Sequence, residues 1–243
     1  MIRIFQPIQQ RRETHLLNIF TLSALVFCNI QVKGTYLSSY VQNPSGLVIE
    51  ECEEPKRASS DSYSNFASNA LWIGHNKNKG LGVFAKPGIK IEKLAWESNS
   101  LRYFLPVRIN HTFDLAAVWA CKAYIEAFYE YERLHHRKID RNTVILGDFN
   151  SNVVWDRLHG QRNHTTATRL LQERGLVSAY HYVTSEAPGQ ESTATFYMYR
   201  DKTKPHHIDY CFCSEARLKQ MTVLNPDQFL AYSDHVPIAI EIN

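Results

Sequence analysis

The chain has 243 residues, of which 44% are hydrophobic and 21% charged. That balance excludes a disordered or fibrous chain and suits one large α/β domain with a buried core. A net charge of +3 permits a polyanionic partner without demanding one.

At the N-terminus Arg11 and Arg12 precede a largely apolar stretch from Leu16 to Ile30. Asn18, Thr21 and Ser23 interrupt that stretch and no A-x-A site follows, so a signal peptide is the weaker reading. It is also too short and too mixed for a membrane span. Residues 1–24 are therefore read as an N-terminal extension and 25–243 as the domain. Five cysteines (28, 52, 121, 211, 213) contain no C-x-x-C pair, which argues against a disulfide framework or a zinc site. A reducing, cytoplasmic location is the expectation. Secretion is the alternative that the triplets Asn110-His-Thr and Asn163-His-Thr would suit. A monomer without membrane attachment is expected.

Short apolar runs predict strands at 46–50, 81–85, 103–108, 113–119, 143–147, 207–213 and 236–242. Residues 55–69 and 184–194 are polar and read as loops. Gly80 and Gly82 read as a turn into a strand. The spacing of Tyr124, Ile125, Phe128, Tyr131 and Leu134 predicts an amphipathic helix over 122–138. A second helix is predicted at 164–174, ending before Gly175. No repeat or linker divides the chain, and mixed strands and helices predict an α/β or α+β fold.

Four strand ends carry polar groups suited to metal or phosphate chemistry. Glu50 and Glu51 follow Leu47-Val48-Ile49, and Asp148 and Asn150 follow the run 144–147. Residues i and i+2 of a strand share a face, so Asp148 and Asn150 would emerge together. An ordinary Asx turn explains the same pair equally well until the other sites are considered. Asp209 lies inside an apolar run with His207 and Cys211, and burying such a charge is costly unless it is paired. Asp234 and His235 precede the last strand, and His235 is a natural partner for Asp209. A carboxylate that fixes one imidazole tautomer is a common arrangement for acid–base or charge-stabilising chemistry. The remaining carboxylate and amide oxygens are hard ligands that suit Mg²⁺ or Mn²⁺. No G-x-S-x-G elbow or P-loop is present, and the adjacent Ser233, Asp234 and His235 cannot face one another as a triad.

IEECE, GDFNSN, HIDY and SDHVPI, in this order, resemble the endonuclease/exonuclease/phosphatase superfamily over roughly residues 25–243. The resemblance implies a four-layer sandwich, DNase I-like, of two mixed β-sheets flanked by helices, with metal-dependent phosphoester cleavage by activated water at one edge. It implies Glu51 as the metal-ligand glutamate, with Glu50 where the family often has Gln. Asp148 matches the residue that orients or deprotonates water, and Asn150 the amide that holds the scissile phosphate. Asp209 and His235 match the pair at the phosphate, and Asp234 the aspartate that assists metal binding.

The chain also departs from the family. The expected first-strand W/F-N-x-N/D motif is incomplete, leaving Phe27 or Asn29 in its place. Trp119 stands where a Tyr or His is usual, with a shortened loop after it, and Tyr124 is the nearest substitute. Asn29, Trp155, Asn163 and Phe196 are further substrate-binding candidates, and His159 and His164 lie in the same segment; for each, packing is the competing reading. Three functions follow: a Mg²⁺- or Mn²⁺-dependent nuclease on DNA or RNA, the same chemistry on a small or lipid phosphoester, or an impaired member that only binds. Size, mild basicity and the lack of lipid- or inositol-binding segments favour the first.

Overall fold

In a computed structural model, the described residues are 22–27 (backbone only), 44–57 and 61–243. The first sheet is built from β1 (Leu22–Phe27), β2 (Gly46–Cys52), β3 (Ala70–Asn76), β4 (Lys79–Ala85), β13 (Leu218–Val223) and β14 (Ile238–Ile242). Its order is β13-β14-β1-β2-β4-β3. The second contains β5 (Ile91–Lys93), β6 (Phe104–Ile109), β7 (Phe113–Trp119), β8 (Thr143–Asp148), β9 (Val177–Ser178) and β12 (Asp209–Cys213), in the order β5-β6-β7-β8-β12-β9. β10 (Phe196–Tyr197) and β11 (Pro205–His206) form a separate hairpin. Parallel pairs β1/β2 and β7/β8 within otherwise antiparallel ladders make both sheets mixed.

Period-two alternation builds the layers. Val48, Leu81 and Val83 of the first sheet meet Leu105, Val107, Leu115, Val144 and Leu146 of the second in a common core. The intervening residues face outward. Ala116, Val118, Ile145 and Phe212 receive α2 (Tyr124–Leu134) and α3 (His164–Glu173) through Ile125, Phe128, Tyr131 and Leu171. Leu47, Ile49 and Phe84 are covered by Tyr63 of α1 (Asp61–Phe66), Ala67, Phe229 and Val236. Helix, sheet, sheet and helix thus form the expected four-layer α/β sandwich. Among the described residues no helix is long and apolar enough to cross a membrane.

The predicted strands all form within a few residues of their expected bounds, but four details differ. Gly80 and Gly82 lie inside β4, not in a turn: a Cβ at Gly80 would strike the Trp72 ring, and one at Gly82 the Phe84 ring. The helix over 122–138 is shorter because Ala123 and Tyr124 have left-handed backbones, φ 54° and 42°, and the helix ends at Leu134. The loop predicted at 55–69 contains α1, whose one buried side chain, Tyr63, is hidden in a polar sequence. The apolar leader supplies β1, which runs between β14 and β2. Asn29 lies outside the described residues.

Candidate functional site

The two sheets bring the four predicted strand ends to one edge. β2 is interrupted by a bulge between Glu50 and Cys52, where Glu51 takes a left-handed backbone of φ 55°. A bulge breaks strict alternation, so neighbouring residues can serve the same site. Glu50, fully buried, reaches across the core, and its Oε1 accepts the Asp148 N–H at 2.6 Å. Glu51 instead lines the open cleft.

Asp148 closes β8. Gly147 before it has φ 149°, and a Cβ there would overlap the Val118 carbonyl oxygen and stand 2.9 Å from Glu50 Oε1. Only glycine permits this approach of β7 to β8. Asn150 is not on a continuing strand. Its backbone turns left-handed, φ 46°, its N–H donates to Asp148 Oδ1 at 2.6 Å, and its amide Nδ2 donates to Asp148 Oδ2. The Asx turn and the convergence of the two side chains are therefore one structure, and the shared strand face expected from sequence is corrected.

Asp209 begins β12 directly opposite Asp148. Its backbone N–H and that of Ile208 both donate to the buried Thr195 Oγ1 at 3.0 Å. His207 precedes the strand, so alternation does not align it with Asp209; its Nδ1 meets the Thr193 carbonyl oxygen instead. His235 Nδ1 donates to the Asp209 carboxylate at 3.0 and 3.2 Å. The segment carrying His235 is clamped: its own N–H donates to Ser233 Oγ, Tyr197 N–H donates to the Asp234 carbonyl, and Val236 N–H donates to the Thr195 carbonyl.

This packing sets the charges. Burial opposes protonation of His235, but the charge and hydrogen bond of Asp209, with Asp148 and Asp234 adding, hold its pKa up at about 9. Burial, then the nearby Asp209 carboxylate, pushes the Asp148 carboxyl well above the usual carboxylate range. One imidazolium thus faces three carboxyl groups.

Glu51, Asp148, Asn150, Phe196, Asp234 and His235 line one cleft of about 450 Å³, with Asp209 behind His235. The Phe196 ring lies against the His235 ring, tilted by 52° at a centroid distance of 4.7 Å. Trp155 stands further out, its ring 5.2 Å from His206, which in turn lies 6.2 Å from Phe196. The structure places Asn163 outside the cleft, as the cap of α3: Oδ1 accepts from Thr166 N–H and Nδ2 donates to the Gly160 carbonyl. His159 pairs with Glu126, and His164 is buried with its Nδ1 at Ser151 Oγ. Tyr124 lines the cleft and is half exposed, while Trp119 is buried beneath it against Tyr103 at 4.4 Å. Lys79, Tyr103, Cys121 and Lys122 also line the cleft without having been singled out in the sequence. No local motif marks them, because the sheet edge alone brings them there.

The donor set suits a hard divalent cation. Glu51 and Asp234 offer carboxylate oxygens, and Asp234 Oδ1 is buried without a hydrogen-bond partner. Among the described residues no three His, Cys, Asp or Glu side chains converge on a cation position by themselves. Two carboxylates, with water and substrate oxygens completing the shell, is an ordinary arrangement for Mg²⁺.

The fold matches solved structures of a 3′ phosphatase and of AP endonucleases. The 3′ phosphatase NExo from Neisseria, solved with a product DNA hairpin, matches with a TM-score of 0.66 at 16% identity, over 91% of this chain and 99% of that one. An AP endonuclease from Archaeoglobus fulgidus gives 0.65 at 16% identity, covering 91% and 99%. The AP endonuclease LMAP from Leishmania major gives 0.64 at 10%, covering 92% and 88%. No curated protein matches the chain. Residues 32–235 match the Endonuclease/Exonuclease/phosphatase family, and with the sandwich and its edge cleft in place the chain belongs to that family.

Proposed function

We propose that this cleft hydrolyses phosphodiester bonds of DNA or RNA with the help of Mg²⁺ or Mn²⁺. The observation that carries the reading is the buried Asp209–His235 pair set beside Asp148 in an oxygen-lined cleft. Asp148, held by Glu50, its own Asx turn and the Asn150 amide, accepts a proton from the attacking water. Asn150 orients that carboxylate and keeps a second amide hydrogen for a phosphate oxygen. His235, with Nδ1 taken by Asp209, presents Nε2 and a positive charge to the negative charge that develops on phosphate oxygens. Glu51 and Asp234 would hold the cation, whose contribution is Lewis-acid polarisation of the phosphate.

Nucleic acid is supported by the ring series Phe196, His206 and Trp155 leading out of the cleft, and by Tyr199, 81% exposed, with Lys204 over its face at 5.3 Å. Exposed rings beside cations offer stacking and charge to a single strand. The test is incubation with plasmid, single-stranded DNA, RNA and bis-p-nitrophenyl phosphate, with Mg²⁺, Mn²⁺ or EDTA. Metal-dependent cleavage of a polynucleotide, reduced about 10²- to 10⁴-fold in Asp148→Asn and His235→Ala, is expected. Cleavage of the small diester alone would move the substrate to small phosphoesters. A folded protein inactive on all of them would refute the hydrolase reading.

A further inference from the structure

Lys79 opens β4 at the mouth of the cleft, on the strand beside the Glu51 bulge. Its ammonium lies 2.7 Å from Glu51 Oε1 and 5.3 Å over the Trp119 ring. The pair is partly open, with the lysine side chain 49% and the glutamate 21% exposed. Lys79 also lines the same cleft as Asp148, Asn150, Asp234 and His235. Nothing in the proposed chemistry employs it.

One carboxylate oxygen does not serve an ammonium and a divalent cation together. Mg²⁺ needs its oxygen ligands at about 2.0–2.1 Å, and an ammonium retained on the same oxygen would face a doubly charged neighbour. An ion pair this exposed is readily broken, so the ammonium is the group that yields. The Trp119 face gives it a second seat, because an aromatic ring attracts a cation without neutralising it. A lysine is a point charge on a flexible four-carbon stem, suited to such a change of partner.

We propose that Lys79 is the resident counter-ion of Glu51, giving up that carboxylate when a divalent cation takes it, and that the released ammonium then positions a non-bridging oxygen of the substrate phosphate. The inference rests on the reading that Glu51 holds the cation. It makes Lys79 a competitor of the metal and a helper of the substrate, two effects of opposite sign that a purely structural lysine does not produce.

The test titrates the 243-residue chain with Mn²⁺ alone, following the electron paramagnetic resonance signal of the free ion. Lys79→Met is expected to bind Mn²⁺ about three- to tenfold more tightly than wild type, for loss of one neighbouring positive charge at a partly exposed site. Lys79→Arg should bind as wild type, and Glu51→Gln should abolish the gain when combined with Lys79→Met. Lys79→Gln gives the same reading if the Met variant does not fold. With an oligonucleotide substrate, KM should rise in Lys79→Met and be rescued by Arg. Mn²⁺ affinity in Lys79→Met equal to or below that of wild type, or a gain that persists without Glu51, overturns the inference. Because the titration contains no substrate, absence of hydrolysis on every substrate would sink the proposed function and leave this result readable.

Discussion

Replacing Asp209 with Asn should uncouple the charge of His235 from its burial. In the native site the imidazole has its pKa held at about 9 although it is almost completely enclosed. Against an ordinary value of 6.5, that difference corresponds to roughly 3 kcal/mol in favour of the charged ring. Burial is the largest single influence and acts downward; Asp209, through charge and hydrogen bond, is the main influence acting upward. The amide side chain of the Asp209→Asn variant would keep the shape but remove the charge, so the imidazole falls to 6.5 or below. At pH 7.5 the charged fraction then drops from nearly all to about a tenth or less. The wild-type pair contributes stability that is fully present below about 6.5 and is lost as pH rises through 9. The variant lacks that alkaline loss. The measurements are an NMR titration of the His235 ring and a pH profile of kcat/KM on whichever substrate the wild type cleaves. Activity should fall about 10²-fold at pH 7.5. A His235 ring that titrates near 6.5 in the wild type, or at one pKa in both proteins, would refute the argument.

Gly147→Ala should be among the most damaging single changes, because its Cβ would overlap the Val118 carbonyl oxygen at φ 149°. A loss of roughly 3–5 kcal/mol in urea unfolding is expected, with a loss near zero as the opposing result. Glu50→Gln keeps an oxygen acceptor for the Asp148 N–H and should fold as wild type. Glu50→Leu strands that buried N–H and should cost about 1–3 kcal/mol, with lower activity; equal stability of the two would show the bond to be dispensable. Acid should weaken the fold through His164, whose burial lowers its pKa to about 4. Only the unfolded chain takes up that proton, so stability is full above about 6.5 and falls as pH drops toward 4, by up to roughly 3 kcal/mol. His164→Gln should flatten this dependence of the urea midpoint between pH 7 and 5, and an unchanged slope would reject His164 as its source.

The inner strands were legible because short apolar runs, such as 113–119 and 143–147, are bounded by polar segments, and they are nearly continuous because alternate residues meet the sheet-to-sheet core and the helices outside it. Edge strands were not. β3 and β13 carry polar residues on solvated faces, so Lys219, Gln220, His75 and Asn76 interrupt any apolar run. β1 was hidden for the opposite reason. Its residues fall within the apolar stretch from Leu16 to Ile30, and near a chain start such a stretch resembles a leader, although it pairs with β14 and β2.

The site shows a sharper division between what spacing encodes and what the fold adds. Asp209 was identifiable because a charge inside an apolar strand requires a partner, and His235 was the partner on offer. Regular strand geometry failed at Asn150 and at Glu51, and the same physics explains both. A site needs several polar groups aimed at one point, whereas a strand sends successive side chains to opposite faces. The chain resolves this by leaving the strand: an Asx turn with a left-handed asparagine after Asp148, and a left-handed bulge at Glu51. Non-glycine residues seldom adopt that conformation, and at Asn150 it is accompanied by two hydrogen bonds to the Asp148 carboxylate, while the bulge at Glu51 sets its carboxylate beside the Lys79 ammonium. Lys79 is far from Glu51 in sequence and lies in no motif, so only the pairing of β2 with β4 reveals it. The residues that periodicity misplaces are thus the ones whose backbones bend to bring the cleft's chemistry together.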